Sequence, residues 1–199
     1  MTNSPASTDR PPRGGKRDRL VASAGELLHR NGVGATTLAD IAQAADVPVG
    51  NVYYYFKTKD DLVRAVIHTQ NDQVQTMLTE LETLPQPADR LKALARRWEQ
   101  MREVVARYGC PFGTLATELD RRADGLDREA AEPIQHILDW TEHQIRHLSP
   151  GDAHELAITL FAAIQGGALL ANTMRDPDIM SSQVRHLERW IDTLTATAP

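Results

Sequence analysis

The sequence predicts an all-α protein, and three observations carry that expectation. Apolar residues recur at three- and four-residue spacing along nearly the whole chain, the period of a helix with one buried face. Glycine and proline punctuate the pattern at Gly32, Pro48, Pro85-Gln86-Pro87, Gly109-Cys110-Pro111 and Pro177, where helices start or stop. With 41% hydrophobic and 25% charged residues among 199, the chain has enough apolar material for a real core, as one large or two small domains.

The first helix is expected from about Lys16 to Asn31, with Leu20, Ala24, Leu27 and Leu28 on one face and Gly32 ending it in a left-handed conformation. Thr36 or Thr37 can cap a short second helix through a side-chain oxygen, and Leu38, Ile41 and Ala42 form its inner stripe. Asp46 occupies the following turn, and aspartate is one of the few residues besides glycine that tolerate a positive φ. A third helix begins near Pro48, whose missing N–H costs nothing in a first turn. Val52 and Phe56 face inward from it, which turns Gly50, Asn51, Tyr53 and Tyr54 outward.

That outward set suits DNA. Gly50 permits close approach, Asn51 can donate and accept at a base edge, and tyrosine hydroxyls can bond phosphate oxygens, with Lys57 and Lys59 adding charge beside them. The plain alternative is that the three tyrosines are half-buried packing. The formal net charge of -5 divides unevenly: residues 1 to 64 hold nine Lys+Arg against seven Asp+Glu, and residues 65 to 199 hold thirteen against twenty. The asymmetry favours DNA contact at the N-terminal end only. Arg10, Arg13, Lys16, Arg17 and Arg19 crowd the first twenty residues, and the Pro/Gly/Ser/Thr-rich stretch 1–15 reads as a flexible basic arm, or else as an inert tail.

Residues 16 to 66 resemble the N-terminal domain of TetR-family transcriptional regulators, whose motif runs from a Thr-capped helix through an Ile-Ala pair and a turn to Gly-x-Leu-Tyr-x-Tyr/His-Phe-x-x-Lys. The resemblance implies a helix-turn-helix DNA-binding domain over 16–64 and a helical ligand-binding and dimerisation domain over 65–199. It implies phosphate contacts from the caps Thr36 and Thr37, close approach at Gly50 and Asn51, phosphate or base contacts from Tyr53 and Tyr54, and a further phosphate contact from Lys59. Pro48 and Val49 depart from the family pattern, which favours a small hydroxyl and a polar residue there. One phosphate bond is expected to be missing as a result, with Val49 placed to meet a thymine methyl instead.

Beyond this head, Leu62, Val66, Thr69, Gln73 and Leu81 suggest a long fourth helix ending before Pro85. Leu91, Leu94, Trp98, Met101 and Val105 define a fifth, terminated by Gly109-Cys110-Pro111, and a sixth follows through Leu115 and Leu119. Ile134, Ile137, Leu138, Thr141, Ile145 and Leu148 lie on another helix, which Pro133 either opens or kinks. The segment Gly109 to Leu119 is similar to one in a TetR-family subgroup that includes regulators of multidrug efflux and of responses to planar aromatic compounds, in which it sits beside the ligand cavity. That similarity implies a pocket lined by Trp98, Met101, Cys110, Phe112, Leu115, Trp140, Phe161 and Gln165, an apolar wall with a few polar handles. Any of these residues can instead be plain core.

From Asp152 to about Asn172, Ala162, Ala163, Gly166, Gly167 and Ala171 place small side chains at helical spacing beside Leu156, Leu160 and Ile164. After Pro177, Val184, Leu187, Ile191 and Leu194 make a stripe with Trp190 beside it. Two such helices per subunit suit the four-helix dimer interface typical of the family, although purely intrachain packing is the alternative, and a two-fold dimer implies a palindromic operator.

His143 and His147 are four apart, with His136 one heptad before His143, but no carboxylate or thiol at matching spacing completes a metal site, so none is expected. One cysteine, Cys110, cannot form an intrachain disulfide. There is no Gly-rich phosphate loop, nucleophile elbow or paired-histidine zinc motif, and an enzyme is not expected. No uninterrupted run of about 18 apolar residues and no secretory signal is seen, which points to the cytoplasm and away from a membrane. The expectation is a cofactor-free homodimeric repressor released from double-stranded DNA by a small hydrophobic or aromatic effector. The alternative is a regulator answering to Cys110 oxidation or to a protein partner.

Overall fold

The computed structural model describes residues 14–122, 124–149 and 151–196, so the basic arm expected over 1–15 lies outside the described residues apart from Gly14 and Gly15. Those residues form ten helices and no strand: α1 (Lys16–Ala35), α2 (Leu38–Ala44), α3 (Val49–Tyr55), α4 (Lys59–Glu82), α5 (Pro87–Gln100), α6 (Arg102–Tyr108), α7 (Pro111–Leu119), α8 (Leu126–Arg146), α9 (Ala153–Met174) and α10 (Asp178–Ala196).

Gly32 breaks α1 at the position its sequence predicts. Its φ of +83° and ψ of 164° lie in a region open essentially to glycine alone. A further turn follows to Ala35, and the first N–H groups of that turn have no intrahelical acceptor. Asp46 takes the turn between α2 and α3 at φ +52°. Pro48 is the residue before α3 and not its first helical residue.

The fifth expected helix is two. Met101, at φ -105° and ψ 21°, interrupts it between α5 and α6, and Gly109 at φ +84° ends α6. Pro133 sits inside α8, the second of the two placements open to it, and is buried there. On α4 the inward set is Leu62, Val63, Ala65, Val66, Ile67, Val74, Leu78 and Leu81. Thr69 and Gln73, expected on that stripe, are exposed.

Two apolar clusters result. One gathers α1, α2, α3 and the start of α4 around Leu20, Ile41, Val52 and Leu62, and it also takes in Leu115, Leu119, Leu126 and Ala130 from α7 and α8. The other runs from Val74 to Ile191 around Trp98, Ile137, Leu160 and Ile164. The division expected at residue 64 therefore falls inside the continuous helix α4, and the head is completed by side chains from α7 and α8.

Of the stripe expected to pair subunits on α10, Val184, Leu187 and Ile191 are buried, together with Met180, where α10 packs on α5 and α9, while Leu194 and Trp190 are half-buried. By length and composition α9 is apolar enough to cross a membrane, which a search for uninterrupted apolar runs does not register. In this fold its inner face packs on α6, α8 and α10.

Candidate nucleic-acid interface and effector cleft

The outer surface of α3 is built from both ends. Thr37 caps α2 in a reciprocal box: its hydroxyl oxygen accepts the Asp40 N–H at 3.2 Å, and Asp40 Oδ2 accepts the Thr37 N–H at 2.9 Å and its hydroxyl at 2.6 Å. Those bonds hold the Asp40 carboxyl below its usual range. Thr58 and Asp61 repeat the box at the start of α4, with bonds of 3.1 and 3.0 Å. The same Thr-x-x-Asp spacing in the sequence signals both boxes.

Between the caps, Val52 and Phe56 anchor α3 in the core, and the Arg17 guanidinium lies 5.3 Å from the Phe56 ring centroid. Arg19 donates from Nε to the Ala45 carbonyl at 3.1 Å and from Nη2 to the Asp46 carbonyl at 3.2 Å, bracing the turn that aims α3. By composition Arg17 and Arg19 are two more charges of a basic segment, whereas the fold uses them as braces.

The side that α3 leaves open carries Pro48, Val49, Gly50, Tyr53 and Tyr54, all exposed, with Asn51 half-buried. Tyr53 is 52% and Tyr54 77% exposed, so neither is the half-buried packing of the plain alternative, although Tyr55 is partly buried. A side chain added at Gly50 would meet nothing within 4 Å. Lys57 Nζ donates to the Tyr53 carbonyl at 2.9 Å. Lys59 Nζ donates to the Val33 carbonyl, which leaves it two further N–H groups.

The residues expected to line a pocket are divided by the fold. Trp98 is fully buried and meets Phe161 and Phe112 edge-on, with ring centroids 5.7 and 6.4 Å apart. Trp140 is buried and donates from Nε1 to Glu82 Oε1 at 3.2 Å. Met101 packs partly buried against the same core, while Leu115 belongs to the other cluster. Six of the eight thus serve the core alone, and Cys110 is buried in it as well, because helical spacing reports an inward face and not a void.

Cys110 and Gln165 alone of that set line a cleft of about 490 Å³ between α7 and α9, together with Thr117, Glu118, Leu169 and Asn172. Cys110 Sγ accepts from Gly113 N at 3.5 Å and from Gln165 Nε2 at 3.4 Å. Glu118 reaches from α7 to the turn after Gly32: its Oε2 accepts the Val33 N–H at 2.7 Å and its Oε1 the Gly34 N–H at 2.8 Å. His29 Nε2 meets the Gly109 carbonyl at 2.9 Å nearby. No spacing in the sequence points to Glu118 or His29, since each meets a partner 80 or more residues away.

Two stretches of the chain match family descriptions: residues 20–66 match "Bacterial regulatory proteins, tetR family", and residues 87–187 match "Tetracyclin repressor-like, C-terminal domain". The chain belongs to the TetR family of transcriptional regulators. Similar curated proteins include an uncharacterised HTH-type transcriptional regulator of Mycobacterium tuberculosis, 29% identical over 87% of this chain and 94% of its own length. The HTH-type transcriptional regulator TtgR of Pseudomonas putida is 26% identical over 89% of this chain and 88% of its own. Among solved structures, a TetR-family regulator from Streptomyces coelicolor superposes with a TM-score of 0.77 at 19% identity, covering 90% of this chain and 96% of its own. A TetR regulator from Chloroflexus aurantiacus does so with a TM-score of 0.78 at 22% identity, covering 89% and 94%.

In this TetR-family regulator one contact carried over from the family pattern needs correction. Thr36 is 1% exposed and donates its hydroxyl to the Gly32 carbonyl at 2.8 Å, so its side chain is not at the surface. The cap of α2 is Thr37. The two departures from pattern, Pro48 and Val49, are both exposed on the outer side of α3. His143 and His147 stack edge-on at 5.1 Å, and among the described residues no group of three metal-binding side chains converges.

Proposed function

We propose that this TetR-family protein is a cytoplasmic, non-enzymatic repressor that binds a palindromic operator as a homodimer and leaves it when a small hydrophobic or aromatic molecule binds. The observation that carries the reading is the outer side of α3, where Gly50, Tyr53 and Tyr54 stand clear of the protein while capped and braced helices fix their direction. Thr37, Pro48, Val49, Asn51, Lys57 and Lys59 complete the proposed DNA contact. Backbone phosphates would set the register, and Asn51 and Val49 would read base edges.

An effector acts by favouring a subunit arrangement whose two heads no longer match successive major grooves, about 34 to 36 Å apart. The coupling free energy for such linkage is typically about 1 to 3 kcal/mol. The cleft between α7 and α9 is the proposed effector site in place of the aromatic core. The test is fluorescence anisotropy on the DNA upstream of the protein's own gene against a scrambled duplex at about 0.15 M salt, where specific binding should exceed nonspecific by ~1000-fold. Equal affinity for the two duplexes, followed by no enrichment from random DNA, would sink the reading.

A second reading, control through Cys110, is favoured by its sulfur facing the same cleft with two N–H groups on it. Peroxide treatment followed by mass spectrometry and the same DNA assay separates it: loss of binding that tracks Cys110 sulfenic acid, and is absent in Cys110→Ser, would support it.

A further inference from the structure

The cleft between α7 and α9 has one charge. Of the residues that line it, Glu118 is the only carboxylate, and none is lysine, arginine or histidine. Among the described residues no cationic side chain lies within ion-pair distance of Glu118. Its partners are the N–H groups of Val33 and Gly34, one on each oxygen, and each carboxylate oxygen has a further lone pair. Beside it the walls are Ala168 and Leu169 on α9 and the methylene and backbone surface around Gly113 on α7, with the Gln165 amide between. Glu118 is exposed at the edge of the recess, and the nearby Lys59 ammonium is engaged by the Val33 carbonyl. A carboxylate with no ion-pair partner among the described residues, beside an apolar wall, is complementary to a positive charge on an apolar body.

We infer that the α7–α9 cleft takes a small organic cation, an ammonium or amidinium group on an apolar ring system, whose charge is read by Glu118. Occupancy is signalled to the DNA-reading helices through the bonds the same carboxylate makes to α1. This rests on the regulator reading above and names the ligand class and the signalling route.

The route follows from what meets at residues 32 to 34. Gly32 breaks α1 and leaves the next N–H groups without an acceptor in their own helix, so Glu118 supplies one from α7. The Gly32 carbonyl receives the Thr36 hydroxyl, and Thr36 leads directly into the Thr37 cap of α2. The Val33 carbonyl receives Lys59 Nζ at the first residue of α4. One turn thus joins α7, α2 and α4, and Glu118 is its tie to the cleft. A cation that draws the carboxylate toward the cleft weakens the bonds to Val33 and Gly34, and with them the seat of α2 and α3. By linkage, operator DNA weakens the cation's binding by the same factor.

The experiment uses the full-length protein with 1-naphthylmethylamine, protonated at pH 7, and its neutral counterpart 1-naphthalenemethanol, titrated by naphthyl fluorescence with and without the selected operator duplex. The amine should bind at least ~10-fold more tightly than the alcohol. It should lower operator affinity by about 5- to 150-fold, the usual range of such coupling. Glu118→Gln should bring the amine down to the alcohol's affinity and leave the alcohol unchanged. Thr117→Trp, which crowds the cleft wall without touching the bonds to α1, should weaken both ligands and leave operator affinity unaltered.

Equal binding of amine and alcohol, or an amine preference that survives Glu118→Gln, overturns the site. Amine binding through Glu118 with unchanged operator affinity overturns the signalling route. Failure of the protein to bind any operator overturns the regulator reading instead, and the amine-to-alcohol ratio still decides the cleft.

Discussion

Tyr54 stands 77% exposed on a helix whose other side is sealed by Val52 and Phe56, so its side chain contributes little to the fold and is free to contribute to DNA. Replacing it by alanine should leave the melting curve unchanged within about 0.5 kcal/mol, as for exposed positions generally. A hydrogen bond from its hydroxyl to a charged phosphate is worth about 1.5 to 3 kcal/mol, so operator affinity should fall ~10-fold or more. Anisotropy and thermal melts on the same preparation check both halves. Thr37 is the opposite case: its alanine variant loses a cap and should destabilise the protein by about 1 kcal/mol in denaturant titration. Residues of this kind are legible in the sequence because their signals are local. A capping threonine, the helix break at Gly32 and the positive φ at Asp46 are each decided by a few neighbours. Arg19, Glu118 and His29 are not, because a side chain that bonds a carbonyl or N–H 26 to 85 residues away leaves no spacing to read.

At the scale of elements, periodicity locates the helices and often their inner faces, but it does not say what each face meets. The α10 stripe of Val184, Leu187 and Ile191 has the same pattern whether a partner or α5 covers it, and here α5 and α9 do. The small residues of α9 divide in the same way. An added side chain at Gly167 would come within 3.1 Å of Gln183 and 3.3 Å of Met180 on α10, whereas one at Gly166 would meet nothing within 4 Å. Elements are also tied by charge. Arg122, after α7, donates to both Asp60 oxygens at the start of α4, at 2.9 and 2.6 Å, and to Asp124 before α8. Arg122 holds both carboxyls below their ordinary value of 3.8, and its own pKa is raised by them. Carboxyls with depressed pKa values stabilise the fold fully above their unfolded value and lose that contribution as pH falls through the folded one. Arg122→Ala should therefore lower the melting temperature by a few degrees at neutral pH. That difference should persist down to about pH 4 and close below it, and it should shrink in high salt because the groups are partly exposed. A deficit that stays constant to pH 2 would assign the loss to packing of the arginine stem.

At the scale of the whole molecule, the described residues leave an apolar face of α9 uncovered. On α9, Ile158, Ala162 and Leu169 fall on one line, with Gly166 and Leu170 beside it and Met174 at the end, and Leu169 is 66% exposed. The opposite face of the same helix, from Ala157 through Leu160, Ile164 and Ala168, is buried on α6, α8 and α10, whereas among the described residues the outward ones stay exposed or half-buried, Leu169 also forming one edge of the α7–α9 cleft. Large apolar side chains at helical spacing around a glycine with open space above it suit a second copy packed across α9, with Gly166 allowing close approach. The small-residue pattern is legible in the sequence. Its orientation is not, since only the fold shows that Gly166 faces out and Gly167 in. Ile158→Asp combined with Gly166→Glu should convert the protein to a monomer in sedimentation equilibrium at micromolar concentration, with the helical content of the parent, because Ile158 is exposed and Gly166 has open space above it. DNA affinity should then collapse by ~100-fold or more on a two-half-site operator, since the second head no longer binds at the effective concentration the dimer supplies. On a single half-site the parent and the variant should differ little. A double variant that remains dimeric would place the subunit contact elsewhere, and a monomer that still distinguishes the full operator from a half-site would show that the two heads do not act as a pair.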